Sequence, residues 1–267
     1  MKFTKILASD ITDLDSNVYE GGGTDVTALL QQVLDKASDD EGIHLVMDGA
    51  ALITGLDLKS NTTIECLSKD CGFFLKDGSD RSLIDLKERS YTKRLTRNVS
   101  LIGGTYNHNN KGQQHHVPIT DERYRFGIKG ISDDMGASRL VVAFEFFGVE
   151  DLVIRDITIR DQRAWSMMCV NFKNVTMENI YIDLPNWMKS QNQDGLHFWG
   201  PGQFLTLKNI KGRSGDDFIA LGPDEHDLVS SITDVLIDGV HLEYADQAIR
   251  MLSRAKGRLD RVIVRNV

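Results

Sequence analysis

The carboxylates Asp194, in Asn192-Gln193-Asp194-Gly195, and Asp216-Asp217, behind Gly215, are the residues best spaced to do chemistry. Asp194 and Asp217 stand 23 residues apart, with a strand-like run from Phe204 to Ile210 between them. That is about one turn of a parallel β-coil, and such turns stack at roughly 4.8 Å. A stagger of one turn sets Asp194 almost on top of Asp217, with Asp216 beside it. Carboxyls that close do not all ionise. Like charges raise at least one pKa, which leaves a proton donor and a proton acceptor at one place. Such a pair can break a glycosidic bond with inversion, one acid protonating the leaving oxygen and a carboxylate activating water. Gly-Asp and Asp-Gly also serve in ordinary turns, so it is the register of two clusters that favours chemistry.

These groups need a scaffold, and a loose repeat supplies it. Leu152–Ile157, Val175–Ile180, Leu205–Ile210, Val235–Val240 and Val262–Val267 all read apolar-x-apolar-x-(Asn/Asp/Gly)-apolar, at steps of 23, 30, 30 and 27 residues. One short strand with a polar corner cannot bury its apolar face alone, but stacked copies can. Ile43–Met47 and Asn61–Leu67 read as further strands. The pattern predicts an all-β fold, a single-stranded parallel β-helix running through residues 1–267 as one domain. The one helical period covers residues 25–38, where Val26, Leu29, Leu30, Val33, Leu34 and Ala37 form a stripe, with Thr24 or Asp25 as N-cap. That helix is placed to cover an open end of the coil. The sequence stops at Asn266-Val267, on a repeat strand, so the natural chain is expected to continue or to have this end covered by another element or subunit.

The totals narrow the function classes. A net charge of −8, from 31 basic and 39 acidic residues, gives a nucleic-acid partner no support. No segment is apolar and long enough to cross a membrane. The N-terminal residues hold no signal-peptide run, so the chain as given reads as cytoplasmic, with a secreted mature form or a virion component as alternatives. Cys66, Cys71 and Cys169 match no zinc motif, and buried free thiols are the expectation, with a Cys66–Cys71 pair as the alternative.

On these residues the chain resembles glycoside hydrolase family 28, the polygalacturonase and rhamnogalacturonase group, with its pectin-lyase-like right-handed β-helix. Gly23-Thr24-Asp25-Val26-Thr27 looks like that family's capping helix and Gly103-Gly104-Thr105 like its Gly-Gly-Thr turn. Asn192-Gln193-Asp194-Gly195-Leu196-His197 is similar to its Asn-Thr-Asp-Gly-Ile-His, and Gly215-Asp216-Asp217-Phe218-Ile219-Ala220 to its Gly-Asp-Asp-Cys-Ile-Ala. The resemblance implies Asp216 as general acid, Asp194 and Asp217 as the base side, no metal, no cofactor and a carbohydrate substrate. The acid must then stand ~6.5–9.5 Å from the base side to leave room for water. Two departures matter. The family's Gly-His-Gly is absent, with Gln247 at the histidine's place, and its Arg-Ile-Lys appears as Arg250-Met251-Leu252. Losing that lysine removes a charge-assisted bond worth about 1.5–3 kcal/mol, which points away from an ordinary endo-polygalacturonase.

Other residues have two readings each. His197 lines the cleft or is a structural histidine. Arg250 is the residue that the resemblance implies for gripping the sugar carboxylate. Trp165 is a stacking platform for a sugar ring or a core residue. Trp187 and Trp199 flank the Asp194 strand and could wall a subsite. His108–His116 reads as a solvated loop over the cleft rather than a metal site, and His226 is a candidate for the missing imidazole. Lys211 and Arg213 either meet an anionic substrate or offset local acid. Alternatives to the hydrolase are a lyase or epimerase on the same fold, and a non-catalytic glycan-binding β-helix such as a phage fibre. Oligomeric state is open.

Overall fold

The computed structural model describes residues 2–120, 138–187 and 192–267. Among the described residues, seventeen strands join in one sheet of parallel ladders, and a separate antiparallel pair joins His116–Pro118 to Ser138–Leu140. Parallel strands in such a sheet require right-handed crossovers, and the expected right-handed parallel β-helix is the fold observed.

The repeat stacks in register. Leu152, Val175, Leu205, Val235 and Val262 are successive partners in one ladder. The ladder continues towards the N-terminus through Val99, Thr62, Ile43 and Thr4. The apolar members Val99, Leu152, Val175, Leu205 and Val235 are fully or almost fully buried in one elongated core. Truncating such a leucine to alanine costs about 2–5 kcal/mol.

The polar corner has a conformational cause. Asp156, Asn179, Asn209, Gly239 and Asn266 all have left-handed backbones, with φ of 60°, 55°, 51°, 84° and 58°. Asn, Asp and Gly are the residues that tolerate this region. The side chains then bond along the stack: Asn179 Nδ2 donates to Asp156 Oδ1 at 2.7 Å, and Asn209 Nδ2 to Asn179 Oδ1 at 2.6 Å.

The helix is shorter than expected, Thr27–Leu34, and Val26 rather than Thr24 or Asp25 stands at its N-cap. Asp25 instead accepts from the Thr27 backbone N–H and hydroxyl. Leu30, Val33 and Leu34 enter the core, whereas Leu29 faces outward. The helix is docked by Gln31, whose amide bonds both the backbone oxygen and N–H of Asp57 at 2.9 Å. A strand not expected from the repeat, Lys2–Leu7, precedes it and pairs with Glu41–Met47. The helix itself packs on Glu41–Met47 and on Leu56–Leu58, whose described strand partner is Ile84–Leu86. All three cysteines are free and buried. Burial pushes the Cys66 thiol up to about 12, so it packs as a neutral group.

Candidate active site

Leu196 pairs with Ile219, and the Gly195 N–H donates to Asp217 O at 2.8 Å. The two strands thus start in step, and Asp194 stands one coil from Asp217 as the spacing requires. Both side chains are buried. Asp216, at the bend before the strand Asp217–Gly222, is half-buried.

An imidazole lies within this cluster. His197 Nε2 meets Asp194 Oδ2 at 2.6 Å. The His197 ring is stacked on Trp165, with centroids 3.9 Å apart and planes 22° off parallel. Trp165 Nε1 donates to Asn192 Oδ1 at 3.1 Å, and Trp199 meets its edge at 6.0 Å. Trp165 is buried, with one face given to the histidine. This corrects the sugar-platform reading: the indole is a backing for the imidazole. Sequence spacing had no means of showing this contact, because Trp165 and His197 meet between adjacent coils through side-chain rotamers.

The electrostatics separate the carboxyls. Burial, then the nearby Asp194 and Asp246 charges, raise the Asp216 pKa above the ordinary aspartate value. Burial and the Asp194 charge also raise Asp217, opposed by the Arg250 guanidinium. Arg250 Nη1 lies 3.5 Å from Asp217 Oδ2, and Nη2 lies 3.8 Å from Glu225 Oε1. Asp194 Oδ1, Asp217 Oδ1 and His197 Nδ1 are buried without a hydrogen-bond partner. Buried polar atoms of this kind need partners, so they are suited to hold a water or a substrate hydroxyl. One ligand atom from each of Asp194, His197 and Asp217 lies within 4.8 Å of the others, so this trio could also hold a metal ion.

The coil after the aspartates carries Gln247 opposite Asp217 and Arg250 opposite Ala220. Gln247 is exposed. It stands one coil from Asp217, with its side chain towards solvent. Leu252, at the place of the missing lysine, is exposed as well.

Several other candidates fall elsewhere. His226 is stacked on Trp199 at 6.2 Å and lies tilted against Tyr91 at 5.5 Å, and its ion-pair contact is Asp227. The imidazole at the aspartates is His197 instead. The stretch 108–116 is solvated only in part, with Lys111, Gln114 and His116 exposed. His108 and Asn110 are fully buried, with His108 bonded to Arg81 O and to the Arg163 N–H, both at 3.1 Å. Burial lowers the His108 pKa to about 4, so the ring is neutral. Arg213 pairs with Glu243 at 2.7 Å, which accounts for its charge within the protein.

No family model matches the chain. It is 31% identical over 90 residues to an exopolygalacturonase from Arabidopsis thaliana, covering 34% of this chain and 20% of that protein. It is also 30% identical over 92 residues to a polygalacturonase from Gossypium barbadense, covering 34% and 22%. The similarity is to polygalacturonases. These alignments span about a fifth of the relatives' length. Among solved structures, an exopolygalacturonase from Thermotoga maritima superposes with a TM-score of 0.68 at 16% identity, over 98% of this chain and 66% of that one. At that identity the likeness shows the fold alone.

Proposed function

We propose that this chain is an inverting glycoside hydrolase acting on a uronate-containing, pectin-like polysaccharide or oligosaccharide. The observation that carries the reading is the one-coil register of Asp194 and Asp217 with Asp216 adjacent, all in a place that raises the pKa of the pair. Asp216, its proton held by burial and like charge, protonates the leaving oxygen. Asp194 and Asp217 orient water through their unpartnered oxygens, and Asp217 takes its proton as it attacks the anomeric carbon. The bond to the leaving sugar breaks as the bond to water forms, on the opposite face of the ring.

His197 holds Asp194 in place for this step, and Trp165 holds His197. Arg250 keeps donors beyond its long contacts with Asp217 and Glu225, and these bind the uronate carboxylate. With Leu252 in place of a second cation, the grip on an anionic chain rests on one arginine. This supports short oligosaccharides over a long polyanion.

The test compares wild type with Asp216→Asn on a panel of pectic and other plant and microbial glycans. Reducing sugar released by wild type and lost in the variant, without an unsaturated product, supports the reading. Unsaturated product absorbing in the ultraviolet would replace it with a lyase.

A further inference from the structure

The aspartate cluster holds an imidazole that the proposed hydrolysis uses only for support. The side chains of Asp194 and His197 are each 3% exposed, and that of Asp217 is 7% exposed. One ligand atom from each of the three lies within 4.8 Å of the others. Asp194 Oδ1, Asp217 Oδ1 and His197 Nδ1 have no hydrogen-bond partner among the described residues. Two carboxylate oxygens and an imidazole nitrogen, buried together and unsatisfied, are a metal donor set as well as a place for water.

The trio is sized and charged for one ion. A tetrahedral ion with ligands ~2.0–2.1 Å away spaces them about 3.4 Å apart, so small side-chain shifts close the three around it. Two carboxylates match the charge of one divalent cation. The imidazole is held in place by Trp165, stacked on it at 3.9 Å. Its strand is locked to the next coil where Leu196 pairs with Ile219. Ligands oriented by their surroundings in this way bind metal more tightly. Arg250 is the nearby cation to be accommodated. It stands 3.5 Å from Asp217 Oδ2, leaving Oδ1 for the ion, and its other arm reaches Glu225 at 3.8 Å.

We propose that Asp194, His197 and Asp217 bind a divalent transition ion of the zinc class, and that the bound ion stops hydrolysis. The binding stands on the donor set alone. The block on hydrolysis rests on the hydrolase reading, in which the same carboxylates hold the attacking water and Asp217 accepts its proton. An ion on those oxygens takes the water's place and occupies the base. The imidazole sets the class of ion. Zn²⁺ and Co²⁺ accept nitrogen beside oxygen, whereas Ca²⁺ takes ~6–8 oxygens and Mg²⁺ keeps several waters. A buried trio that includes a nitrogen meets neither of the last two demands.

The test titrates chelator-treated protein with Co²⁺, read by its visible absorption, and with Zn²⁺, read by activity on a pectic glycan. One Co²⁺ per chain is expected, displaced by Zn²⁺ but not by excess Ca²⁺ or Mg²⁺. His197→Ala and Asp194→Asn should each weaken Co²⁺ binding more than about 100-fold, beyond the cost of losing an outer-shell partner. Circular dichroism checks that each variant folds, and His197→Gln, nearer in size, serves where His197→Ala does not. Asp216→Asn should bind Co²⁺ as wild type does although it is inactive, which separates binding from turnover. Metal-free wild type should cut the glycan, lose that activity to stoichiometric Zn²⁺ and recover it with chelator. Absence of bound Co²⁺, or equal binding by the folded His197 and Asp194 variants, would overturn the site. Activity that persists with Zn²⁺ bound, or that requires it, would overturn the block. Co²⁺ bound with the expected residue dependence by a protein that cuts no glycan would uphold the site and overturn the hydrolase reading.

Discussion

Trp165 stacks on His197 at 3.9 Å, and the same imidazole holds Asp194 at 2.6 Å. In the proposed mechanism this aromatic–histidine–carboxylate series positions Asp194 for the attacking water. His197→Ala should lower kcat about 10- to 100-fold, the loss of one charge-assisted bond, with KM little changed. Trp165→Leu should produce a smaller loss of the same kind. Steady-state kinetics with a pH profile checks this, since a merely structural defect would lower the active fraction without moving the profile.

Arg250 is assigned to the uronate carboxylate. Arg250→Ala should raise KM about 10- to 100-fold for a uronate substrate, through a charge-assisted bond worth ~1.5–3 kcal/mol. It should leave the reaction of a neutral aryl glycoside nearly unchanged. Equal losses on charged and neutral substrates would show that Arg250 acts instead by supporting Asp217 and Glu225.

The aspartate pair sets a pH dependence of stability with a definite sign. Folding raises both pKa values, so the folded protein binds these protons more tightly than the unfolded chain. Their contribution is full below the ordinary aspartate value, ~3.9, and is lost as pH rises through the raised values. Asp216→Asn and Asp217→Asn should therefore raise Tm at neutral pH while abolishing activity. Thermal denaturation from pH 3 to 8 tests this; a variant less stable than wild type at pH 7 would contradict it.

The corner stack makes a prediction about the fold itself. Asn209 has φ of 51° and bonds Asn179 at 2.6 Å. Asn209→Ala should cost about 1–2 kcal/mol from backbone conformation alone, and Asn209→Gly should cost less. Urea denaturation resolves the two. Equal losses would mean that the side-chain bond, not the backbone, dominates.

The corner was legible because a left-handed residue restricts side-chain choice, so Asp156, Asn179, Asn209 and Gly239 recur at one place in each repeat. The stacking of Asp194 on Asp217 was legible for a similar reason: 23 residues close one coil. The N-terminal coils were harder to read, because Thr4, Ile43, Thr62 and Val99 are separated by the helix and by loops of unequal length. The burial of His108 was illegible, since it depends on a backbone oxygen of Arg81 and an N–H of Arg163 that approach only after coiling. The role of Trp165 was hidden in the same way, behind a side-chain stack between adjacent coils.

The most direct measurement is the anomeric form of the first product, followed by proton NMR as an α-linked uronate oligosaccharide is cut. Hydrolysis by Asp216 with water held between Asp194 and Asp217 predicts the β-anomer first, equilibrating later by mutarotation. Initial release of the α-anomer, or of an unsaturated product, would contradict the account.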